Sequence, residues 1–327
     1  MIINAGAGND DIENWYSNNV SIDGGDGNDS IENEGSNVTI NGGAGNDSIY
    51  NYGESVLIDG GAGNDFISNY ERSFVTILGG VGNDSIVNSG DNVSINGGAG
   101  NDYIYNEGEN ILFKYAAGDG KDVISGFNDT STLQIAGSTY FTKKSGSNVI
   151  VTVGKGKITL DGAATLETVK IVSDTMKITD STKSSVKLKS GIKIADASTR
   201  TTAVKIVGNA SANSIVGGSK NDSIYGGAGK DTLIGGKGND SLWGGAGKDT
   251  FIYSSGDGKD VISSFGNNDL LQITGGNVTA SYSKSDKSIA FKVGKTASAI
   301  TLRDFTATTF HVNSTTYRLS GGKLIKS

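Results

Sequence analysis

The chain has 327 residues, 50 of them glycine, with no proline, no cysteine and a formal charge of −7. Without cysteine there are no disulfides or thiolate metal sites, and the acidic balance repels phosphate backbones, which argues against nucleic acid as a partner. No apolar run approaches the ~18 residues of a membrane-crossing helix, and glycine without proline or a three-residue period is not collagen.

From Met1 the chain enters a repeat almost at once, with neither the basic start nor the apolar stretch of a signal peptide. Aspartates recur at Asp10, Asp29, Asp47, Asp65, Asp84 and Asp102, in steps of 19, 18, 18, 19 and 18 residues. Around them each unit reads G-G-x-G-N-D-x-I, as in Gly24–Ile31, although the first unit starts with Ala5. Two residues after the isoleucine stands an asparagine: Asn14, Asn33, Asn51, Asn69, Asn88 and Asn106. A glycine often follows (Gly35, Gly53, Gly90, Gly108), with Arg72 in its place once. An apolar pair closes the unit, from Val20/Ile22 to Ile111/Phe113.

Each unit therefore predicts two short strands with period-2 alternation, separated by two turns. Stacked as coils, identical residues lie about 4.8 Å apart. Isoleucine and valine then face a narrow core, and the asparagines form a ladder that satisfies the turn backbone. The glycines provide positive φ and close backbone approach. The pattern is that of a parallel β-roll or β-solenoid.

GDGKDVIS at Gly118–Ser125 ends this block and reappears at Gly256–Ser263. Both copies lead to a phenylalanine (Phe127, Phe265) and then to Leu-Gln-Ile. The chain thus reads as a tandem duplication of a roll and a β-rich cap that blunts its open end. Residues 166–207 alternate Val/Ile with Lys/Thr/Ser and predict further strands that continue the solenoid without metal. From Gly208 the units shorten to nine residues, placing Asp222 and Asp240 on one edge and Asp231 and Asp249 on the other. Asn213 replaces the aspartate of the first, degenerate unit. The expected domains are 1–126, 127–207, 208–264 and 265–327: roll, cap with connecting strands, second roll, and cap.

Carboxylates stacked one strand spacing apart repel by roughly 1 kcal/mol in water, and by more at lower dielectric. Such a row needs a counter-charge. Glycine turns also expose carbonyl oxygens, so the combined donor set is hard oxygen, which suits Ca²⁺ better than Mg²⁺.

The nonapeptide G-G-x-G-x-D-x-U-x resembles the RTX (repeats-in-toxin), or haemolysin-type, calcium-binding repeat. Residues 217–252 match it four times running, and residues 5–107 match its first eight positions six times. The resemblance implies an all-β, right-handed parallel β-roll, with Ca²⁺ held between successive turns by aspartates and glycine-turn carbonyls. Carried onto this chain, the first row comprises Gly6, Gly8 and Asp10; Gly25, Gly27 and Asp29; Gly43, Gly45 and Asp47; Gly61, Gly63 and Asp65; Gly80, Gly82 and Asp84; and Gly98, Gly100 and Asp102. It ends at Gly118, Gly120 and Asp122. The second block has Gly218 and Asp222; Gly227, Gly229 and Asp231; Gly236, Gly238 and Asp240; and Gly245, Gly247 and Asp249. It ends at Gly256, Gly258 and Asp260. Calcium is expected on one edge of the first block, with none on its Asn edge, and on both edges of the second.

An enzyme is not expected. The one histidine, His311, sits in a β-like segment, and no zinc motif, nucleophile elbow, P-loop or separated carboxylate pair is present. The resemblance further implies an extracellular or bacterial cell-surface module, exported by type I secretion machinery through a C-terminal signal within residues 300–327. The alternative is an adhesin or spacer that binds a cell-surface glycan or protein through its Asn edge, near Tyr16, Tyr50, Tyr52, Tyr70, Tyr103 and Tyr105. An ice-binding array would pair the outer Asn row with threonines, but that row reads Ala7, Asp26, Ala44, Ala62, Val81 and Ala99.

Overall fold

Strand alternation builds each repeat into one coil of two strands. In Ser21–Asp26 and Ser30–Asn33, Ile22 and Ile31 point inward and are fully buried, while their neighbours face out. The computed structural model describes every residue except 295–298, 306–308, 321–322 and 327. The expected secretion signal lies partly outside the described residues. The chain divides into two compact units, Met1–Ser173 and Asp174–Ser327, each built as a parallel β-solenoid.

In unit 1, one sheet runs in parallel from Ile2–Ala7 through the first strand of each repeat to Ile171–Ser173. The facing sheet stacks the second strands, from Asp11–Asn14 to Lys121–Ser125. The register is strict: Ile22, Ile40, Ile58, Ile77, Ile95 and Phe113 form one file, and Ile31, Ile49, Ile67, Ile86 and Ile104 another. These files are the core. Beyond Lys121–Ser125, Gly156–Asp161 continues in parallel, and then Asn148–Val153 and Tyr140–Ser145 pair antiparallel to form the cap.

Unit 2 repeats the plan. Its sheets begin with Thr175–Lys177 and Ser185–Lys187, continue in parallel through the nonapeptide strands, and end in antiparallel strands such as Ser288–Val293 and Thr315–Ser320. Residues 174–207 are thus the opening coils of unit 2, and the boundary at Ser173 falls inside the expected 127–207 segment.

Candidate metal centre

Each aspartate of the row ends a glycine-rich turn, just before the second strand of its coil. Its two carboxylate oxygens have different surroundings. Oδ1 accepts the backbone N–H of the aspartate one coil earlier: Asp29 N to Asp47 at 2.8 Å, Asp47 N to Asp65 at 2.8 Å, Asp65 N to Asp84 at 2.9 Å. The ladder reaches Asp122, which accepts from Asp102 N at 3.0 Å. Oδ2 has no donor. It is buried and unpartnered in Asp10, Asp29, Asp47, Asp65, Asp84 and Asp102, and again in Asp231, Asp240 and Asp249. Burying such an oxygen without a partner costs about 1–3 kcal/mol, more when it is charged.

What lies opposite that oxygen is bare backbone. A Cβ built on Gly42 would lie 2.5 Å from Asp47 Oδ2 and 2.4 Å from the carbonyl oxygen of Gly60, one coil on. The same cradle recurs at Gly24, Gly60, Gly79 and Gly226. The first glycine of each pair thus joins the site, a role the sequence reading gave only to the second and fourth. Those two hold the turn: Gly43 and Gly45 have φ of 112° and 134°. A Cβ on either would meet the carbonyl oxygen of Gly25 or Gly27 at 2.0 Å. Carbonyl oxygens therefore run in files beside the carboxylates. Among the described residues no cluster of three His, Cys, Asp or Glu side chains forms, and the oxygens that stand beside these carboxylates are backbone carbonyls. Anionic and carbonyl oxygens without nitrogen or sulfur fit Ca²⁺.

Electrostatics point the same way. Burial raises the carboxyls of Asp65 and Asp84 to about 6, and neighbouring aspartates add to the rise. Asp122, Asp240 and Asp260 are pushed up to about 7 by burial and adjacent carboxylates. Burial likewise raises Asp231 to about 6, and Asp47, Asp102, Asp222 and Asp249 to a smaller extent. Ionising these groups in place requires a counter-charge.

Unit 2 carries two rows. Asp222, Asp240 and Asp260 are linked along one edge, and Asp231, Asp249 and Asp269 along the other. Asp269 has no motif in the sequence, because Gly266-Asn267-Asn268-Asp269 has only one glycine. The clue was its place, directly before Leu270, as Asp249 precedes Thr250. One row ends, and the other begins, differently from how it runs. Asp269 Oδ2 accepts Gly266 N–H at 2.7 Å, and Asp222 Oδ2 accepts Gly218 N–H at 2.6 Å.

The rolls end alike. The Tyr115 hydroxyl donates to the Gly120 carbonyl at 2.7 Å, and Tyr253 does the same to Gly258 at 2.9 Å. Gly120 O also accepts Lys157 N–H at 2.9 Å. Gly118 and Gly256 have φ of 116° and 98°, and a Cβ there would touch nothing within 4 Å. The opening glycines Gly6 and Gly8 are equally clear.

On the other edge of unit 1, the expected asparagine ladder is present. Asn33 Nδ2 donates to Asn51 Oδ1 at 2.9 Å and to its own turn at Gly35 O at 2.8 Å; Asn51, Asn69 and Asn88 continue the file. The glycines beside it are set by close approach: a Cβ on Gly53 would meet Gly35 O at 1.9 Å. In the two 19-residue coils, Asn14 and Asn69 reach three residues on, to Ser17 O and Arg72 O, and the extra residues Tyr16 and Glu71 take φ of 68° and 51°.

A family model of the RTX calcium-binding nonapeptide repeat matches residues 23–53, 56–68, 78–110, 207–242 and 227–259. No curated protein matches the chain. Among solved structures it is similar to an extracellular lipase from Serratia marcescens at 18% identity, covering 70% of this chain and 37% of that one, with a TM-score of 0.26.

Proposed function

We propose, from the premise that this chain carries the calcium-binding repeats of the RTX family and that these imply Ca²⁺ binding, that it is a non-catalytic module that folds on calcium outside the cell. One observation carries the reading: the file of buried, unpartnered Asp Oδ2 atoms, which at Asp29, Asp47, Asp65, Asp84 and Asp231 face a bare glycine and a carbonyl oxygen of the next coil. In unit 1 the carboxylates of Asp10 to Asp102 would hold the ions, with the carbonyls of the glycine turns. In unit 2, Asp231, Asp240 and Asp249 would do so. Bound calcium supplies the charge that lets stacked carboxylates ionise together.

The setting follows from affinity. Extracellular calcium modules bind at about 10⁻⁴–10⁻³ M, so in a low-calcium cytosol these coils stay loose, and outside the binding energy becomes folding energy. That behaviour suits passage through type I secretion machinery and a final place in the medium or on the cell surface. A circular dichroism titration with Ca²⁺ after EDTA, with Mg²⁺ as control, tests the reading. A cooperative gain of β signal with Ca²⁺ alone is expected; a full β spectrum in EDTA would overturn calcium-driven folding.

A second reading, as an adhesin or stiff spacer, draws on aromatics of the outer surface. Tyr70, Tyr103 and Tyr105 stand out to solvent, although Tyr70 already stacks on Tyr52 at 4.7 Å. Binding on a glycan array that is lost in the Tyr103→Ala/Tyr105→Ala double variant would favour it.

A further inference from the structure

The opening coils of unit 2 lie on the same edges as its aspartate rows but have no aspartate at the row positions. On the edge of Asp222, Asp240 and Asp260, the row position one coil earlier is Val204. Val204 N–H donates to Asp222 Oδ1 at 2.8 Å, just as Asp222 N–H donates to Asp240 at 2.7 Å. Its turn, residues 197–204, lies between the turn 178–184 on one side and the glycine turn 217–222 on the other. Within it Arg200 is only 2% exposed.

The Arg200 guanidinium is buried among carbonyl oxygens. Nε donates to Thr202 O of its own turn at 2.9 Å. Nη1 donates to Thr179 O and, at 3.1 Å, to Thr182 O, both on the turn one coil earlier. The other face of the turn meets the glycine turn through backbone: Ser219 N–H donates to Arg200 O at 3.1 Å. A buried guanidinium needs partners for its donors, and here three carbonyls from two successive turns take the Nε–H and both Nη1–H groups. A positive charge joining the carbonyl oxygens of adjacent turns is what the glycine turns further along lack. Asp222 is the first carboxylate beyond this turn. Burial pushes its carboxyl up, the N–H groups of Gly218 and Val204 pull against that rise, and the charge of Arg200 adds to them. Its Oδ2 is occupied by Gly218 N–H rather than left open.

The opposite edge is closed in a parallel way. Asn209 Nδ2 donates to Lys189 O at 2.9 Å and Ile192 O at 2.7 Å, and Asn213 Nδ2 to Ile192 O at 3.1 Å. Side-chain donors again reach the carbonyls of the turn one coil earlier. Asp180 adds a further tie: it accepts the N–H and hydroxyl of both Thr201 and Thr202.

We propose that Arg200 is a built-in cation that takes the structural part of calcium on this edge. With Asn209 and Asn213 on the other edge, it lets coils 174–213 hold their shape without the metal and serve as a preformed base for the calcium coils of unit 2. The proposal rests on the calcium-dependent folding proposed above, because only against metal-dependent coils is a metal-free base distinct.

The test is hydrogen exchange on the full chain, with and without EDTA, for wild type, Arg200→Gln and Arg200→Lys. In wild type, amides of Ile194–Asp196 and Lys205–Val207 stay protected in EDTA while those of Ser223–Gly229 and Ser241–Gly247 exchange. Arg200→Gln speeds exchange of the opening coils by about 10- to 100-fold in EDTA, the effect of leaving buried carbonyls unpaired. Arg200→Lys, which keeps the charge but not the fork, falls between. Opening coils that exchange in EDTA as fast as the glycine turns would overturn the Arg200 proposal and leave calcium-driven folding standing. Protection of the whole wild-type chain in EDTA would sink calcium-driven folding, and with it the role of a metal-free base. Unchanged exchange in Arg200→Gln would overturn the proposal in any background.

Discussion

At the aspartate edge of unit 1, each second strand is preceded by Asp29, Asp47, Asp65, Asp84 or Asp102; at the opposite edge, the first strands are preceded by Val20, Val38, Val56, Val75, Val93 or Ile111. The backbone does the same at both. Ser48 N–H bonds to Asp29 O at 2.8 Å, and Thr39 N–H bonds to Val20 O at 2.9 Å. The side chains divide the work differently. The valines are buried and apolar, and the polar demands of their turn are met by the asparagine ladder, whose Nδ2 and Oδ1 atoms are both engaged. The aspartates cap one N–H each and leave one oxygen open. A solenoid turn can thus be closed by amides, or left with a buried anionic oxygen that the calcium-dependent folding proposed above would satisfy.

Three experiments probe that contrast. The largest effect is expected from Asn51→Ala. Asn51 is fully buried, and its loss takes one of the two acceptors of Asn33 Nδ2 and unpairs Asn69 Oδ1, Gly53 N–H and Gly53 O, at about 1–3 kcal/mol for each group left unsatisfied. Chemical denaturation should show this loss equally in calcium and in EDTA; a loss confined to one condition would break the division of roles.

Asp65→Asn should act in opposite directions in the two conditions. The amide keeps an oxygen for Asp47 N–H and removes the open anionic one. Stability in EDTA should rise by about 1–2 kcal/mol, while the calcium midpoint for folding moves to higher concentration. Isothermal titration calorimetry and thermal melts read the two effects, and a calcium midpoint equal to wild type would remove Asp65 from the site.

The third and mildest is pH. Asp65, Asp84 and Asp231 sit at about 6 in the folded chain, and Asp122, Asp240 and Asp260 at about 7, above an ordinary aspartate. The metal-free fold therefore holds more protons than the unfolded chain. Its stabilisation by protonation is full below about pH 4 and is lost as pH rises through 6 to 7. In EDTA the β signal should strengthen between pH 8 and pH 5; with calcium, apparent affinity should weaken over the same window as protons compete. A flat profile in EDTA would mean that the carboxylates are better solvated than their burial suggests.

Much of this was legible in the sequence because a period is a geometric statement. Steps of 18 and 19 residues, with alternating Ile and Val, left few ways to stack the chain, and the row of aspartates followed from the period. What could not be read depends on atoms rather than residue types. That Asp47 presents Oδ1 to a neighbouring N–H and Oδ2 to a bare glycine is a fact of side-chain rotation. That Gly42 belongs to the site depends on the carbonyl of Gly60, one coil away in space and 18 residues away in sequence. Asp269 lacked its glycines. Arg200 has no motif, because its partners are backbone oxygens of a neighbouring turn and any residue type supplies those.

The tyrosines at the ends of the two rolls add one more consequence. Both hydrogen bonds that the Gly120 carbonyl can readily accept are taken, by the Tyr115 hydroxyl and by Lys157 N–H. The file of carbonyl oxygens on that edge stops there, and Tyr253 stands at the matching point of unit 2. A phenol proton thus acts as punctuation: it closes the last carbonyl oxygen of the roll, where the glycine turns before it leave theirs in an open file.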